Sequence, residues 1–290
     1  MPSALAVAAL VLLASTPAAS DDVPTPNEAI EKARALERQG LVADAEDYLA
    51  GLVDENGGPL ARDATVLLEA ARIATAPEKC RAYASRAIER SRSDQVLETA
   101  HMLRGDSFFA EGRYTSAGHE YLAAARHSNA RGPGIADLKR ARSSLASGDA
   151  GQAAELYREI AEWGATPGEI TPYAEVGLAR SILVLGRFAE AAERFLTTAR
   201  VYADSEIRVR ALAGAAEAFG GAGDTERERA ALESIVASYP ESYEAVIARE
   251  RLRRIPPPDT VSAGPGEHAT TPEGPSGTDG DRAQDETGER

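Results

Sequence analysis

The sequence predicts an all-α solenoid of stacked helix hairpins, and three observations predict it. Glycines recur at Gly112, Gly148, Gly186 and Gly223, with gaps of 36, 38 and 37 residues, and Gly40 lies two periods of 36 before Gly112. From Pro26 to Arg254, apolar residues recur at three- and four-residue spacing, interrupted by short stretches of Gly, Pro, Asp or Asn. Aromatics are only 5 % of the chain, and much of its 43 % hydrophobic content is alanine, which favours helix and lets helices approach closely. A fixed period in this range, filled with helix-forming sequence, means hairpins stacked in a line rather than one closed core. Such an array offers a long curved surface suited to holding another molecule.

The chain opens with an address rather than a repeat. Ala4–Ala14 is almost wholly apolar, no charged side chain precedes Asp21, and Ala18-Ala19-Ser20 supplies small residues where a signal peptidase reads. We read residues 1–20 as a cleaved signal peptide and place the mature protein in the periplasm or outside the cell. An uncleaved anchor is the alternative. Met1–Ser20 is barely long enough to span a bilayer, and Pro17 interrupts it. After cleavage nothing in the sequence is expected to cross a membrane. The one cysteine, Cys80, permits no intrachain disulfide and no cage of several thiolates, and a lone thiol suits an oxidising compartment.

The hairpins follow in order over residues 26–254, about six of them and a cap. The first carries Ala33, Leu36, Gly40, Ala45, Leu49 and Leu52. The second, over 62–95, lacks the glycine; Ala76-Pro77 stands at the turn, followed by a helical run from Cys80 to Ile88. The third has Gly105, Phe108, Gly112, Tyr114, Ala117, Tyr121 and Ala124. The fourth has Ala141, Gly148, Ala153, Tyr157 and Ile160. The fifth has Leu178, Ala179, Gly186, Phe188, Ala191 and Phe195. The sixth has Ala216, Phe219, Gly223, Leu232, Ile235 and Pro240, with Glu228 in the slot where the others hold a small residue. That substitution predicts looser or shifted packing there. The glycines are expected to end each first helix in the left-handed conformation, the small residues to sit where helices cross, and the aromatics to fill the space between hairpins. A capping helix from Glu241 to about Arg254 closes the array, and Pro256-Pro257-Pro258 stops it. Residues 255–290 are rich in Pro, Gly, Thr, Asp and Glu, with eight acidic and two basic side chains, and from Pro256 onward Val261 is the only branched aliphatic. This composition predicts a disordered acidic tail.

The pattern of small residue, aromatic, glycine, aromatic, small residue and aromatic resembles the tetratricopeptide repeat (TPR), five times in register. The resemblance implies a right-handed superhelical solenoid with a C-terminal capping helix. The ending Ile235-Val-Ala-Ser-Tyr239-Pro240-Glu-Ser-Tyr-Glu-Ala resembles the TPR regions of bacterial envelope proteins, such as the periplasmic Tol–Pal division coordinator and the outer-membrane assembly lipoproteins. The coordinator's trimeric coiled coil has no room between Asp22 and Asn27, and the lipoproteins' lipidated cysteine is absent. The resemblance therefore implies fold and compartment and neither specific role.

No catalytic constellation emerges. The sequence has no HExxH and no GxSxG, and Gly220-Gly221-Ala222-Gly223 follows no strand and precedes no Lys-Ser/Thr pair. His119 and His127 are eight apart on one predicted helix, too far to share a ligand. Cys80, among alanines, reads as a small hydrophobe. We expect no enzyme activity, no metal and no cofactor. A net charge of −14 argues against a nucleic-acid partner, for which a basic face is expected.

What remains is binding. In the repeat family the first helix of each hairpin lines a concave groove. Mapped onto this register, the groove positions are Met102, Asp106 and Phe109, then Leu138, Arg142 and Leu145. Tyr173, Val176, Arg180 and Leu183 follow, then Arg210 and Glu217. Arg142, Arg180 and Arg210 thus fall in successive hairpins of an acidic chain, with Tyr173 and Asp106 nearby. Arginine forks hold carboxylates at two points, which suggests a groove for an extended peptide or a C-terminal carboxylate. The competing reading pairs these arginines with glutamates of neighbouring hairpins. The Lys and Asn of the family's carboxylate clamp are missing. The expectation is an exported, non-enzymatic scaffold that binds a protein or peptide of the bacterial cell envelope. The alternative is the helical region of a cell-wall enzyme of the lytic-transglycosylase type, or of a peptidoglycan-binding protein. The partner and the oligomeric state are not specified by the sequence.

Overall fold

The computed structural model describes residues 23–163, 169–202 and 205–256. The signal peptide read at 1–20 and all but the first two residues of the tail read at 255–290 lie outside the described residues. Among the described residues there are thirteen α-helices and no strands. The first six are α1 (Pro26–Arg38), α2 (Val42–Leu52), α3 (Ala64–Ile73), α4 (Pro77–Arg90), α5 (Asp94–Ala110) and α6 (Tyr114–His127). Next come α7 (Ile135–Ala146), α8 (Ala150–Glu162), α9 (Thr171–Val184) and α10 (Phe188–Val201). The array ends with α11 (Ser205–Ala222), α12 (Thr225–Ser238) and α13 (Tyr243–Arg254).

Each helix packs on its neighbours in the chain. The odd-numbered helices also touch one another across hairpins, at α1–α3, α3–α5, α7–α9, α9–α11 and α11–α13, whereas the even-numbered helices make no comparable contact. The odd row is therefore the inner, more closely spaced layer and the even row the outer one, which is the geometry of a curved solenoid.

The glycine ladder sets the turns. Gly40, Gly112, Gly148, Gly186 and Gly223 all have φ between 75° and 92°. At Gly112 the reversal is closed by the Gly112 N–H donating to Phe109 O (3.0 Å) and the Arg113 N–H donating to Phe108 O (2.9 Å). The second hairpin reverses without glycine, and a buried carboxylate from the preceding hairpin secures it. Glu46 on α2 accepts the Thr75 N–H at 3.1 Å, the Thr75 hydroxyl at 2.7 Å and Lys79 Nζ at 2.6 Å. Pro77 then supplies the first residue of α4, where its missing N–H costs nothing.

The small residues of the outer helices, Ala45, Ala117, Ala153 and Ala191, are fully buried, and Tyr121, Tyr157 and Phe195 are buried beside them. Each such aromatic stabilises the stack by about 3 kcal/mol. Glu228 corrects an expectation. It does not loosen the sixth hairpin: it is buried, and Arg251 of α13 donates to it from the cap. An added Cβ at Gly220 would lie 2.3 Å from Arg251 Nη2 and 2.8 Å from Glu228 Oε2, so a helical glycine makes the room for this pair. The cap begins at Tyr243 rather than Glu241, because the Ser242 hydroxyl accepts the Ala245 N–H (3.1 Å) and fixes the start.

The apolar core is not continuous. One cluster runs from Ala33 to Ala100 and the other from Ala141 to Ala248. The gap runs from the second half of α5 through α6 to the start of α7, where the buried Ala117, Tyr121, Ala124 and Ala136 belong to neither cluster.

Candidate functional site

The inner faces of α7, α9 and α11 enclose a groove of about 710 Å³. Its walls carry Leu138, Leu145, Val176 and Ala213, with Ile135 and Ile207 toward the helix starts. Arg142, Tyr173, Arg180, Arg210 and Glu217 all line it, so the structure brings together four of the five groove residues singled out from the sequence, and Glu217 with them. Asp106 is not among the lining residues. Lys139 Nζ lies 2.6 and 2.7 Å from its two carboxylate oxygens, and the Tyr121 hydroxyl donates to it at 2.7 Å. Leu183 is buried in the core rather than facing the groove.

The three arginines are not equivalent. Arg180 is bound to Glu217 of the next hairpin, and Arg210 to Glu206 one turn earlier on its own helix (2.6 Å). Arg142 has no carboxylate partner among the described residues; its guanidinium lies over the Phe109 ring, 4.8 Å from the centroid. Pairing across hairpins thus describes Arg180 alone; Arg210 is paired within its own helix, and Arg142 is paired in neither way. A cation held only by a ring face keeps its hydrogen-bonding fork available to an incoming carboxylate.

Two glycines that the register did not single out shape the groove. Gly177 lies mid-helix in α9 and Gly214 mid-helix in α11. A Cβ at Gly177 would sit 2.4 Å from Tyr157 Cε1, and one at Gly214 would sit 2.5 Å from Phe195 Cε1. The rings of the outer helices therefore pass between the inner helices only because these positions have no side chain, and both rings reach the groove lining. Gly105 plays a similar part for Tyr121. The legible signal was the cost itself: glycine inside a helix forfeits about 1 kcal/mol relative to alanine and needs a packing reason. Burial pushes the Tyr157 hydroxyl up to about 12, so it enters the groove as a neutral group.

The first half of the inner layer is closed by its own charges. Arg34 and Arg72 both donate to the buried Glu69, at 2.9 and 2.8 Å, and Arg72 also binds Glu37 at 2.6 Å. His101 and His127 stack in parallel with centroids 5.9 Å apart, each bound to a carboxylate, Glu120 and Asp94. His119 takes no part in that pair. Among the described residues no cluster of three or more His, Cys, Asp or Glu is arranged to hold a metal, and no helix is long and apolar enough to cross a membrane. Cys80 is buried, its Sγ donates to Leu103 O (3.6 Å), and burial pushes its thiol up, away from the nucleophilic thiolate.

Hairpins with an inner lining, an outer row and a positive-φ glycine at five of the six turns define a helical-repeat solenoid. Residues 77–134 match the tetratricopeptide repeat family, and the described array has that family's fold. Among solved structures, a tetratricopeptide repeat protein from Parabacteroides merdae is similar with a TM-score of 0.61 and 17 % identity, over 79 % of this chain and 86 % of that one. PilW, a widely conserved type IV pilus biogenesis factor, is similar with a TM-score of 0.58 and 15 % identity, over 79 % of this chain and all of that one. The pilF protein of Pseudomonas aeruginosa gives 0.50 and 15 %, over 78 % and 97 %. Among curated proteins, none matches the chain in sequence. The described residues form a solenoid of the tetratricopeptide-repeat fold, a fold consistent with a scaffold for proteins or peptides.

Proposed function

We propose that this chain is an exported, non-enzymatic scaffold of the bacterial cell envelope, and that it holds an extended segment of a partner protein across α7, α9 and α11. The observation that carries the reading is Arg142: a groove cation without a carboxylate partner among the described residues, in a chain of net charge −14, set among Leu138, Leu145 and Val176. Axes of packed helices lie about 10 Å apart, so the groove is about 20 Å across, the span of about six residues of extended chain. A segment with an acidic group near one apolar side chain fits: the carboxylate at Arg142, the apolar group against Tyr173 and Val176. The apolar N-terminal segment ending in Ala18-Ala19-Ser20 supports export.

The test is capture of partners from an envelope extract, followed by peptide titration. Arg142→Ala weakens binding of the captured segment about tenfold, while Arg34→Ala, in the charge-closed half, leaves it unchanged. Equal effects of the two substitutions overturn the groove assignment. Amino-terminal sequencing of the exported protein tests cleavage near Ser20.

A further inference from the structure

A second cleft opens on the other side of α7, between α6, α7 and α8, with a volume of about 320 Å³. The repeat register explains its existence. Four residues before each turn glycine the chain carries Leu36, Phe108, Ile182 and Phe219, but in the fourth hairpin the residue is Ser144. Six residues after the glycine, the fourth and fifth hairpins bury Ala154 and Ala192, while the third has Gly118. Ser144 and Gly118 face each other's territory across the α6–α7 seam, and the volume missing from both is the cleft. It lies at the break between the two apolar clusters.

A packing defect would be lined by apolar atoms or closed by collapse. This one is lined by polar side chains, and one of them is buried without a partner among the described residues. Ser143 is 1 % exposed, and its hydroxyl has no hydrogen-bond partner among the described residues. The residues at the same register position are satisfied: Ser107 Oγ donates to Pro77 O, and Ser181 Oγ donates to Gly177 O. Leaving a buried hydroxyl unpaired costs about 1–3 kcal/mol, so its retention calls for a partner from outside the chain. Arg140 and His119 line the cleft with no protein partner among the described residues. Ser144 donates to Gln152 Oε1 (2.8 Å), which leaves the Gln152 NH₂ without one.

The lining has one arginine, one aspartate (Asp149), serine and threonine hydroxyls, an amide, an imidazole and the phenol of Tyr114. Formal charge balances, donors and acceptors are both plentiful, and Leu122 is the only aliphatic side chain of size. That set rejects an apolar ligand and does not select an anion, since Asp149 offsets Arg140. It matches a neutral ligand dense in hydroxyls, with Tyr114 as a surface for the C–H face of a ring. The volume, at the low end for ligand sites, admits roughly one sugar ring. We propose that the α6–α7–α8 cleft is a saccharide-binding site, separate from the peptide groove, with the Ser143 hydroxyl as its buried anchor.

The test uses the full-length mature protein and ¹⁵N-amide NMR titration with glucose, N-acetylglucosamine, chitobiose and inorganic phosphate, each at about 10 mM, above the millimolar Kd expected for so small a contact. Two variants fill the cleft without straining the fold. Gly118→Leu meets no clash at its Cβ, because the nearest atom to an added Cβ is Ser143 Cβ at 3.8 Å, an ordinary contact distance. Ser144→Ile restores the residue type of the fifth hairpin. At least one sugar shifts amides of α6–α8, each filling variant weakens that shift at least tenfold, and both variants melt no lower than wild type. Absence of shifts with every sugar overturns the proposal, as do shifts with phosphate alone and sugar shifts that survive both variants.

Discussion

Substituting Gly214 by alanine separates two kinds of glycine in this chain. At an open helical position the change stabilises by about 1 kcal/mol, through helix propensity alone. Gly214 is not open: the new Cβ would stand 2.5 Å from both Cε1 and Cζ of Phe195, a ring 1 % exposed and fixed in the core between α10 and α11. Forcing such a ring aside costs about 1–3 kcal/mol. The balance is a net destabilisation of about 1 kcal/mol. Gly118→Ala, whose nearest neighbour is 3.8 Å away, is the internal control and stabilises by about 1 kcal/mol. The two variants thus differ in sign and by about 2 kcal/mol, or roughly 4–8 °C in melting temperature for a chain of this size. Urea unfolding followed by circular dichroism measures both. Trimming the ring as well, in Gly214→Ala/Phe195→Leu, returns part of the loss, so the double variant is more stable than the sum of the singles predicts. If Gly214→Ala stabilises as Gly118→Ala does, or the double variant is strictly additive, the contact between α10 and α11 is not what holds the ring in place.

Arg251→Met leaves Glu228 buried without its partner and costs about 2–3 kcal/mol, whereas Glu228→Ala/Arg251→Met recovers most of that, read from urea midpoints at neutral pH. Gly148→Ala costs about 1 kcal/mol for a different reason than Gly214→Ala: nothing lies within 4 Å of the added Cβ, and the penalty is the left-handed backbone at φ 92°. Acid destabilises the first two hairpins. Lys79 first, then Thr75, hold Glu46 below its ordinary 4.5, and Arg34 and Arg72 hold Glu69 below it against the opposing push of burial. Because both are lowered in the folded state, the unfolded chain binds more protons near pH 4, and stability present above about pH 4.5 is lost as pH falls through the folded values. Thermal melts from pH 7 to pH 3 show this decline, and Glu46→Gln flattens it.

How much of this was legible depended on whether a residue's role was repeated. Gly40, Gly112, Gly148, Gly186 and Gly223 stand at one register position, and each adopts a conformation that glycine enters at no steric cost, so spacing alone located the turns. Ala117, Ala153 and Ala191 lie at helix crossings for the same reason, and the groove positions of Arg142, Tyr173, Arg180 and Arg210 follow from counting within each first helix. Roles played once were not legible. Glu46 replaces a glycine turn from 29 residues away. Glu228 breaks the small-residue rule and is rescued by Arg251, 23 residues on. Gly177 and Gly214 were visible as letters, but the rings that need them, Tyr157 and Phe195, belong to the preceding hairpin.

By itself, then, the sequence determined the class of structure: a line of helix hairpins, its turns, and which face of each first helix looks inward, because local periodicity and backbone preference act over a few residues and are repeated. The tertiary structure alone decided which charges are spent and which are free. Arg142, Arg180 and Arg210 occupy neighbouring inner-face positions, yet Arg210 binds Glu206 on its own helix, Arg180 reaches Glu217 of the next hairpin and Arg142 rests on Phe109 of the preceding one; the last two outcomes depend on distances between hairpins that no single repeat contains. The same holds for Ser143, one of three serines in register, whose hydroxyl alone lost its partner where the apolar core is interrupted.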